Sequence, residues 1–291
     1  PQLFTACAGW MLSVIRRCPF VFEVRDIWPA SIVAVGAIKR RLLIKWLEKL
    51  EIFLYREADA IVVVSGAFKR DMVSRGIEED KISVVLNGVD LERFKPVLSK
   101  DITLSTKYNL DDKFVVGYVG THGMSHGLDV ILDAAEYIQQ HRDILFMLVG
   151  AGAAKKRLVD SVKERSLTNV LFIDQQPKEM MPAYWSLCDV SLIHLRDTPL
   201  FATVIPSKLF ESMGMGLPVL MAVSEGEATG LVREHDCGVV IPPEDSKRLA
   251  SVVVELQSNK DLLERYKQSS LKASSVYSRD NKAREMFNVL E

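Results

Sequence analysis

The segment Pro206-Ser207-Lys208-Leu209-Phe210-Glu211 carries two side chains that could hold a nucleotide. Lys208 and Glu211 are three residues apart, so they share one face of a helical turn. Proline suits the first turn of a helix, where backbone N–H groups lack helical partners and can bind a phosphate beside the lysine. The carboxylate could accept two hydrogen bonds from a sugar diol. The alternative is an exposed ion pair, which contributes about 0.2–0.5 kcal/mol.

Strands alternate with helices along the whole chain, which predicts βαβ units and parallel sheets. We predict an incomplete first Rossmann-like domain at residues 1–95, a polar linker at 96–113 and a complete doubly wound domain at 114–275. A helix within 276–291 is expected to cross back to the first domain. Because the chain begins with Pro1 and few strands precede the linker, we expect an opening section to be missing.

Composition excludes several classes of protein. The chain has 291 residues, of which 48% are hydrophobic and 26% charged, as in a globular protein with a good core. A net charge of −1 argues against a nucleic-acid partner. No apolar run reaches the roughly 18 residues of a membrane span. Cysteines at 7, 18, 188 and 237 have no metal spacing, so we expect buried reduced thiols and a cytoplasmic protein.

Two cofactor hypotheses find little support. His122 and His126 are four residues apart, which is metal spacing on a helix, but Gly123 between them favours a loop and no third ligand follows. The glycines Gly117, Gly120 and Gly123 do not form the G-x-G-x-x-G fingerprint of a nicotinamide oxidoreductase. We therefore expect no metal and no cofactor.

Seven motifs follow one another along nearly all of the chain. They are Phe22-Glu23-Val24-Arg25-Asp26-Ile27-Trp28-Pro29, Ala58-Asp59-Ala60-Ile61-Val62, Asn87-Gly88-Val89-Asp90, Gly117-Tyr118-Val119-Gly120-Thr121-His122-Gly123, Leu148-Val149-Gly150-Ala151-Gly152, Thr203-Val204-Ile205-Pro206-Ser207-Lys208 and Val240-Ile241-Pro242-Pro243-Glu244-Asp245. In this order the motifs resemble retaining glycosyltransferases of family 4, which have the GT-B fold. The resemblance is to the bacterial branch that builds cell-surface polysaccharides, such as lipopolysaccharide, often from N-acetylated amino-sugar donors.

The resemblance implies two Rossmann-like domains, with a sugar nucleotide on the second and an acceptor on the first. Glu211 matches the second glutamate of the family's Glu-x7-Glu motif, which holds the ribose hydroxyls. Thr203 stands where the first glutamate should be, so a hydroxyl replaces the carboxylate expected at the transferred sugar. Ser207 belongs to the same donor-binding segment.

The loop after the first strand of the second domain departs from the family. Many relatives carry an arginine near Thr121 and a lysine just before Gly127, and this loop has neither. Gly120 and Gly123 still let the backbone approach a phosphate. Lys208 becomes the main cation for the diphosphate, with Arg196 a weaker candidate. His126 could help when it is protonated, and the alternative is an exposed, neutral histidine.

Arg25 and Asp26 stand where many relatives have an active-site histidine. Arginine stays protonated at neutral pH, so Arg25 could stabilise phosphate charge but could not act as a base. Asp26 could orient or deprotonate an acceptor hydroxyl. The alternative is a structural Arg–Asp pair that anchors the loop.

The segment Lys39-Arg40-Arg41-Leu42-Leu43-Ile44-Lys45-Trp46 combines basic charge with apolar bulk. It could rest on an anionic membrane surface, where each basic residue contributes about 1 kcal/mol, or it could be an ordinary amphipathic helix.

The residues of the donor-binding segment predict a nucleotide-binding enzyme, and the resemblance implies a retaining hexosyltransferase. It would move an N-acetylated amino sugar from a UDP-linked donor to a glycan or polyprenyl-diphosphate-linked acceptor, at the inner face of the cytoplasmic membrane. The alternatives are a sugar-nucleotide epimerase of the same fold and a non-catalytic nucleotide-binding fragment.

Overall fold

Two parallel sheets organise the chain. The computed structural model describes residues 2–34, 40–96 and 99–290. One unit comprises Pro1–Asn87, Thr203–Ile205 and Asp280–Glu291, and the other comprises Gly88–Ala202 and Pro206–Arg279. The predicted α/β class with parallel sheets is confirmed. Of the basic segment predicted at residues 39–46, Lys39 lies outside the described residues.

The first unit has a three-stranded parallel sheet in the order β1-β2-β3. Its core is apolar, and the strand residues in it share one face of the sheet: Phe22, Val24, Ile61, Val63 and Ile82. The final helix of the chain, α13, lies almost entirely in this unit. The elements are α1 (Gln2–Arg16), β1 (Val21–Val24), α2 (Ala30–Ala34), α3 (Arg41–Glu57), β2 (Ala60–Val63), α4 (Gly66–Ser74), β3 (Ile82–Val84) and α13 (Arg279–Leu290).

The second unit has a six-stranded parallel sheet in the order β6-β5-β4-β7-β8-β9. Its inner strands are buried on both faces and mostly apolar, as in parallel sheets covered by helices on either side, and β7 also carries Ser191 and His194. The elements are α5 (Ile102–Tyr108), β4 (Phe114–Val119), α6 (Asp129–Tyr137), β5 (Ile144–Val149), α7 (Lys155–Glu164), β6 (Val170–Ile173), α8 (Met181–Ser186), β7 (Val190–His194), α9 (Lys208–Gly214), β8 (Val219–Ala222), α10 (Glu227–Glu234), β9 (Gly238–Ile241), α11 (Ser246–Ser258) and α12 (Lys260–Ser274).

The strand order of this sheet reverses between β4 and β7. Strand β4 pairs with β5 along Phe114–Val119, whereas it pairs with β7 only at Val116 and Gly117. Strands β4 and β7 therefore separate towards their carboxyl ends. In open parallel sheets, such a topological switch point is where ligands bind.

The helix α5 lies inside the segment predicted to be a linker. Asp101 caps it by accepting a hydrogen bond from the backbone N–H of Leu104, at 2.9 Å. Only Leu104 and Ser105 of this helix are buried, which is too few for a helical period to be visible in the sequence.

Helix α12 was likewise not predicted from the sequence. Its inner face includes the buried hydroxyl of Ser270, which donates to the carbonyl oxygen of Leu217 at 2.8 Å. A serine on the core face interrupts the apolar pattern, so the period is weak although the helix is long.

The cysteines differ from expectation at two positions. All four are free thiols, and Cys188 and Cys237 are buried as predicted, but Cys18 is exposed and Cys7 is half-buried. Among the described residues, no helix combines the length and the apolar character that crossing a bilayer requires.

Candidate functional site

The side chain of Lys208 lies at the switch point of the second unit. Its Nζ atom is buried, and no described residue accepts a hydrogen bond from it. Nζ lies 3.8 Å from the centroid of the Tyr118 ring, at the end of β4. A ring face attracts a cation by about 0.5–2 kcal/mol, but a buried ammonium also needs hydrogen-bond acceptors. Lys208 is thus a buried cation whose hydrogen-bonding needs the described residues do not meet.

Burial lowers the pKa of Lys208 from 10.5 to about 7, and the charge of Glu211 opposes this shift. Lysine at this position is therefore poised between its charged and neutral forms near neutral pH. An anion beside Nζ would favour the charged form and raise this pKa. The environment is suited to a ligand that carries negative charge.

Gly120 keeps a side chain out of the space around Nζ, and Gly150 packs closely against Gly120. Gly120 follows β4 with φ of +148°, and a Cβ atom there would lie 2.9 Å from Lys208 Nζ. Gly150 follows β5 with φ of +149°, and a Cβ atom there would lie 2.0 Å from the carbonyl oxygen of Gly120. Gly123 starts the next turn, where its carbonyl accepts from the N–H of His126 at 3.2 Å. The backbone itself lines this part of the crevice.

Two histidines near Lys208 are uncharged at neutral pH. Burial, reinforced by the charge of Lys208, lowers the pKa of His126 to about 4. Burial, together with the charges of Lys155 and Lys208, lowers the pKa of His122 to about 4. The proposed contribution of a protonated His126 to diphosphate binding is therefore not supported. His122 is fully buried, and neither ring nitrogen has a hydrogen-bond partner among the described residues.

His194, which was not among the predicted site residues, connects two loops of the site. Its Nε2 accepts a hydrogen bond from the backbone N–H of Glu244 at 3.1 Å, so its Nδ1 carries the proton and donates to the carbonyl of His126 at 2.5 Å. Arg196 also holds the first of these loops, because its Nε donates to the carbonyl of Met124 at 2.7 Å. Part of the Arg196 side chain is therefore structural. The sequence feature that could have identified His194 is its position at the end of a buried strand.

Glu211 is largely buried one turn beyond Lys208. Burial raises the pKa of its carboxyl group, and the indole N–H of Trp185 opposes that shift, as do the charges of Lys208, Arg279 and Arg93. Trp185 is fully buried, and its Nε1–H lies near the Glu211 carboxylate without meeting the geometry of a hydrogen bond. The exposed ion pair considered for Lys208 and Glu211 is not what the structure shows, because Nζ is buried and unpaired.

The other candidates of this segment have main-chain roles. Thr203 ends a short 3-10 turn and belongs to the first unit, where its carbonyl accepts from the hydroxyl of Ser65 at 3.1 Å. Ser207 is exposed at the start of α9, and its side chain does not cap the helix. Its carbonyl accepts from the N–H of Phe210 at 3.1 Å. The contact of Thr203 with a sugar stays a prediction.

Arg25 and Asp26 follow β1 in the first unit and take different partners. Arg25 donates to Glu23 Oε1 at 3.0 Å and to the side-chain oxygen of Asn87. Asp26 accepts from the hydroxyl of Ser31 at 3.1 Å. The structural Arg–Asp pair considered above is therefore wrong. Arg25 also lines a cavity of about 430 Å³ whose other walls include Phe20, Phe22 and helix α1.

The structure thus brings Gly120, Lys208 and Tyr118 into contact, with Glu211 nearby and His126 and Arg196 in the adjoining loop. Thr203, Arg25 and Asp26 belong to the other unit. Within the part of the chain that the structure describes, no cluster of histidine, cysteine and carboxylate side chains could hold a metal ion.

Comparison with protein families gives two matches. The family model for glycosyl transferases group 1 matches residues 101–273, which is more than half of the chain. The model for glycosyltransferase family 4 matches residues 2–93.

Two curated relatives are similar over most of this chain. WbjE of Pseudomonas aeruginosa, described as a probable glycosyltransferase, is 26% identical over 243 residues, 81% of this chain and 59% of its own length. The O-antigen chain mannosyltransferase C of Escherichia coli is 25% identical over 236 residues, 80% of this chain and 60% of its own length. The chain therefore spans about three fifths of the length of these relatives.

Solved structures share the fold. The crystal structure of Anabaena HepE in complex with UDP and glucose matches with a TM-score of 0.82 at 20% sequence identity, covering 99% of this chain and 75% of HepE. This likeness extends over both units and confirms the predicted fold class.

Proposed function

The chain belongs to the group 1 glycosyl transferases, and from that premise we propose that it is a hexosyltransferase of cell-surface polysaccharide synthesis. It moves a sugar from a nucleotide-diphosphate donor to a glycan or lipid-linked acceptor. The observation that carries the proposal is the buried Lys208 ammonium, which has no hydrogen-bond acceptor among the described residues and lies at the switch point of a parallel sheet. The diphosphate of a donor supplies both the acceptors and the negative charge.

The donor is UDP-linked in this proposal. HepE, which has the same fold, was crystallised with UDP and glucose, and this supports the choice of base. Glu211 accepts hydrogen bonds from the two ribose hydroxyls, one helical turn beyond Lys208. The resemblance to amino-sugar transferases supports an N-acetylated amino sugar, and Thr203 offers that sugar a hydroxyl instead of a carboxylate.

The proposed transfer retains the anomeric configuration. The bond between the anomeric carbon and the diphosphate oxygen breaks, and the acceptor oxygen bonds to the same carbon from the same face. The acceptor proton passes to the leaving diphosphate. Lys208 and the backbone at Gly120 stabilise the charge that develops on that diphosphate. This arrangement requires no metal ion or other cofactor.

Arg25 and Asp26 bind the acceptor in this proposal. Glu23 and Asn87 fix the Arg25 guanidinium, which could then bind the phosphates of a polyprenyl-diphosphate-linked acceptor. Asp26 orients the acceptor hydroxyl. Such an acceptor lies at the inner face of the cytoplasmic membrane, so the enzyme would work there as a peripheral protein.

Calorimetry with UDP tests the donor site. We expect Glu211→Ala and Lys208→Ala each to weaken binding at least tenfold, because each removes a charged partner of the nucleotide. Glu164→Ala, an exposed glutamate on α7, is the control and should bind UDP like the wild type. Equal UDP binding by Glu211→Ala would refute the ribose assignment.

Product analysis tests the reaction. Incubation with UDP-sugars and a lipid-linked acceptor should give a glycoside with the donor's anomeric configuration. A changed sugar nucleotide in the absence of acceptor would instead identify an epimerase. UDP binding without any product would indicate a non-catalytic nucleotide-binding protein.

A further inference from the structure

Trp185, on α8, is the largest of the fully buried side chains in the described part of the chain. The hydrogen on its Nε1 can only be donated, and a buried N–H without an acceptor lowers stability. No described residue accepts this hydrogen with good geometry, and the carboxylate of Glu211 is the acceptor that lies near it. A buried tryptophan usually has a partner for its N–H. The Glu211 carboxylate is therefore the partner available to Trp185.

Two buried hydroxyl groups hold the main chain beside Glu211. Ser212 donates to the carbonyl oxygen of Lys208 at 2.7 Å, and its own oxygen lies 2.6 Å from the hydroxyl of Ser191 on β7. Because Ser212 has a single hydroxyl hydrogen, Ser191 donates to Ser212. These bonds tie the first turn of α9 to β7. The backbone that carries Lys208 and Glu211 is thus fixed before a ligand binds.

The side chain of Glu211 is not held in the same way by the surrounding cations. Its carboxylate is largely buried, although the residue keeps some exposure. Lys208 Nζ donates to no described residue, and Arg279 and Arg93 pair with other carboxylates at 3.8 and 3.6 Å. A glutamate has several rotatable bonds, so an unheld carboxylate loses freedom when a ligand binds. The Trp185 N–H is placed to limit that freedom in advance.

One carboxylate can serve Trp185 and a ligand together. Its two oxygens offer about four acceptor sites when it is ionised. The indole N–H needs one of these sites, and the two hydroxyls of a ribose need two more. Hydrogen bonds of a binding site are often long in the free protein and tighten when the ligand is bound. The loose approach of Trp185 Nε1 to Glu211 fits this behaviour.

From these contacts we propose that Trp185 is a positioning residue, which orients the Glu211 carboxylate towards both ribose hydroxyls and makes the donor site prefer ribonucleotides to 2′-deoxyribonucleotides. The inference rests on the proposed function, in which Glu211 binds the ribose. A carboxylate held in one orientation loses a hydrogen bond when one hydroxyl is missing. A carboxylate that turns freely recovers part of that loss at the remaining hydroxyl, so it discriminates less.

Calorimetry with UDP and 2′-deoxy-UDP tests this role. We expect the wild type to bind UDP at least tenfold more tightly than 2′-deoxy-UDP, because a hydrogen bond to a charged group is lost. Trp185→Phe keeps an aromatic ring and removes the N–H, and it should reduce this ratio to about threefold. Glu211→Ala should abolish the ratio. Adding Trp185→Phe to Glu211→Ala should cause no further loss of UDP binding, since the two side chains act as one unit.

Tyr184→Phe is the matched control. Tyr184 precedes Trp185 on α8 and is also buried, but its hydroxyl interacts with Tyr108 and not with Glu211. The variant therefore removes a buried hydroxyl from the same helix, and it should keep the wild-type ratio of affinities even if its melting temperature falls. A ratio as low as that of Trp185→Phe would show that loosening α8 is sufficient, and this would overturn the proposal.

Two outcomes separate this inference from the donor site itself. If Trp185→Phe keeps the full ratio while Glu211→Ala loses it, the role of Trp185 is wrong and the ribose assignment stands. If the wild type binds UDP and 2′-deoxy-UDP equally, the ribose assignment is wrong and the role of Trp185 fails with it.

A measurement on the wild type covers the case in which Trp185→Phe does not fold. The chain has four tryptophans, so labelling them with nitrogen-15 gives four indole N–H signals. The Trp185 signal should exchange most slowly with solvent, because the other three indoles are not fully buried. It should move downfield when UDP binds and its bond to Glu211 tightens, and this movement should be absent in Glu211→Ala. A Trp185 signal that UDP leaves unchanged would overturn the proposal.

Discussion

The ammonium group of Lys208 lies 3.8 Å from the centre of the Tyr118 ring, buried and without a hydrogen-bond acceptor among the described residues. The lysine is on α9 and the tyrosine is the penultimate residue of β4, so the sheet and not the local sequence brings them together. This arrangement costs stability when no anion is bound, because a buried cation is poorly solvated.

Replacing Lys208 by methionine should stabilise the protein, and by more at low pH. The pKa of Lys208 is lowered to about 7 in the folded state, so between pH 7 and 10.5 the unfolded state binds more protons and stability rises with pH. Below pH 7 the full cost is present. We expect Lys208→Met to raise the free energy of unfolding by roughly 2–4 kcal/mol at pH 6 and by much less at pH 9.5. Urea unfolding at both pH values measures this, and an equal effect at both would contradict the shifted pKa.

Donor affinity should fall as pH rises above 7. The diphosphate of a UDP-sugar binds the protonated form of Lys208, and the free protein loses that proton near pH 7. We therefore expect proton uptake on binding, and a dissociation constant that rises about tenfold per pH unit above 7 until the pKa of the complex is reached. Calorimetry with a UDP-sugar in buffers of different ionisation enthalpy measures the uptake. Lys208→Met is the control, and its weak binding should show no such pH dependence.

Gly120→Ala should interfere with Lys208 directly. The new Cβ atom would lie 2.9 Å from Nζ, and φ of +148° is unfavourable for alanine. We expect a loss of about 1–3 kcal/mol in stability and at least tenfold weaker UDP binding. Gly76→Ala is the comparison, since φ there is +84° with no atom within 4 Å, so it measures backbone strain alone. In a double-mutant cycle, Gly120→Ala and Lys208→Ala should be non-additive for binding, because the residues touch. Full additivity would show that the clash is unimportant.

The second unit should lose stability in acid because of its buried histidines. The pKa values of His122 and His126 are lowered to about 4, and burial also lowers that of His194. Between the unfolded pKa of about 6.5 and the folded values, the unfolded state binds more protons, so stability falls as pH falls through this window. The melting temperature should fall between pH 7.5, 6 and 5. The variant His122→Phe should show a smaller fall over the same range.

His194→Ala should separate structural from ligand effects. It removes the acceptor of the Glu244 N–H and the donor to the His126 carbonyl, which leaves buried polar groups unpaired and costs roughly 2–4 kcal/mol. His194→Asn should restore part of this stability, because its side chain retains a donor and an acceptor. If both variants unfold like the wild type, the connection between the two loops has no energetic importance.

Local pattern was enough to predict most of the fold. Each long strand of the second unit is a continuous apolar run, and each glycine loop follows such a run, because a buried parallel strand and its turn are encoded within a few residues. Helices α5 and α12 were missed where that local signal is weak, since α5 buries only Leu104 and Ser105 and α12 has a serine in its core face. The candidates Lys208, Glu211 and Gly120 were likewise identified from motif and spacing.

The environments of Lys208 and His194 could not be predicted from the sequence. Lys208 meets Tyr118 and Gly120 across about ninety residues of sequence, and His194 connects loops that follow β4 and β9. Burial of a charge, the resulting pKa and the absence of a hydrogen-bond partner depend on every element packed around the group. A linear sequence determines which residues are available at the ends of the strands, whereas desolvation and contact geometry arise only when the sheet places those ends side by side.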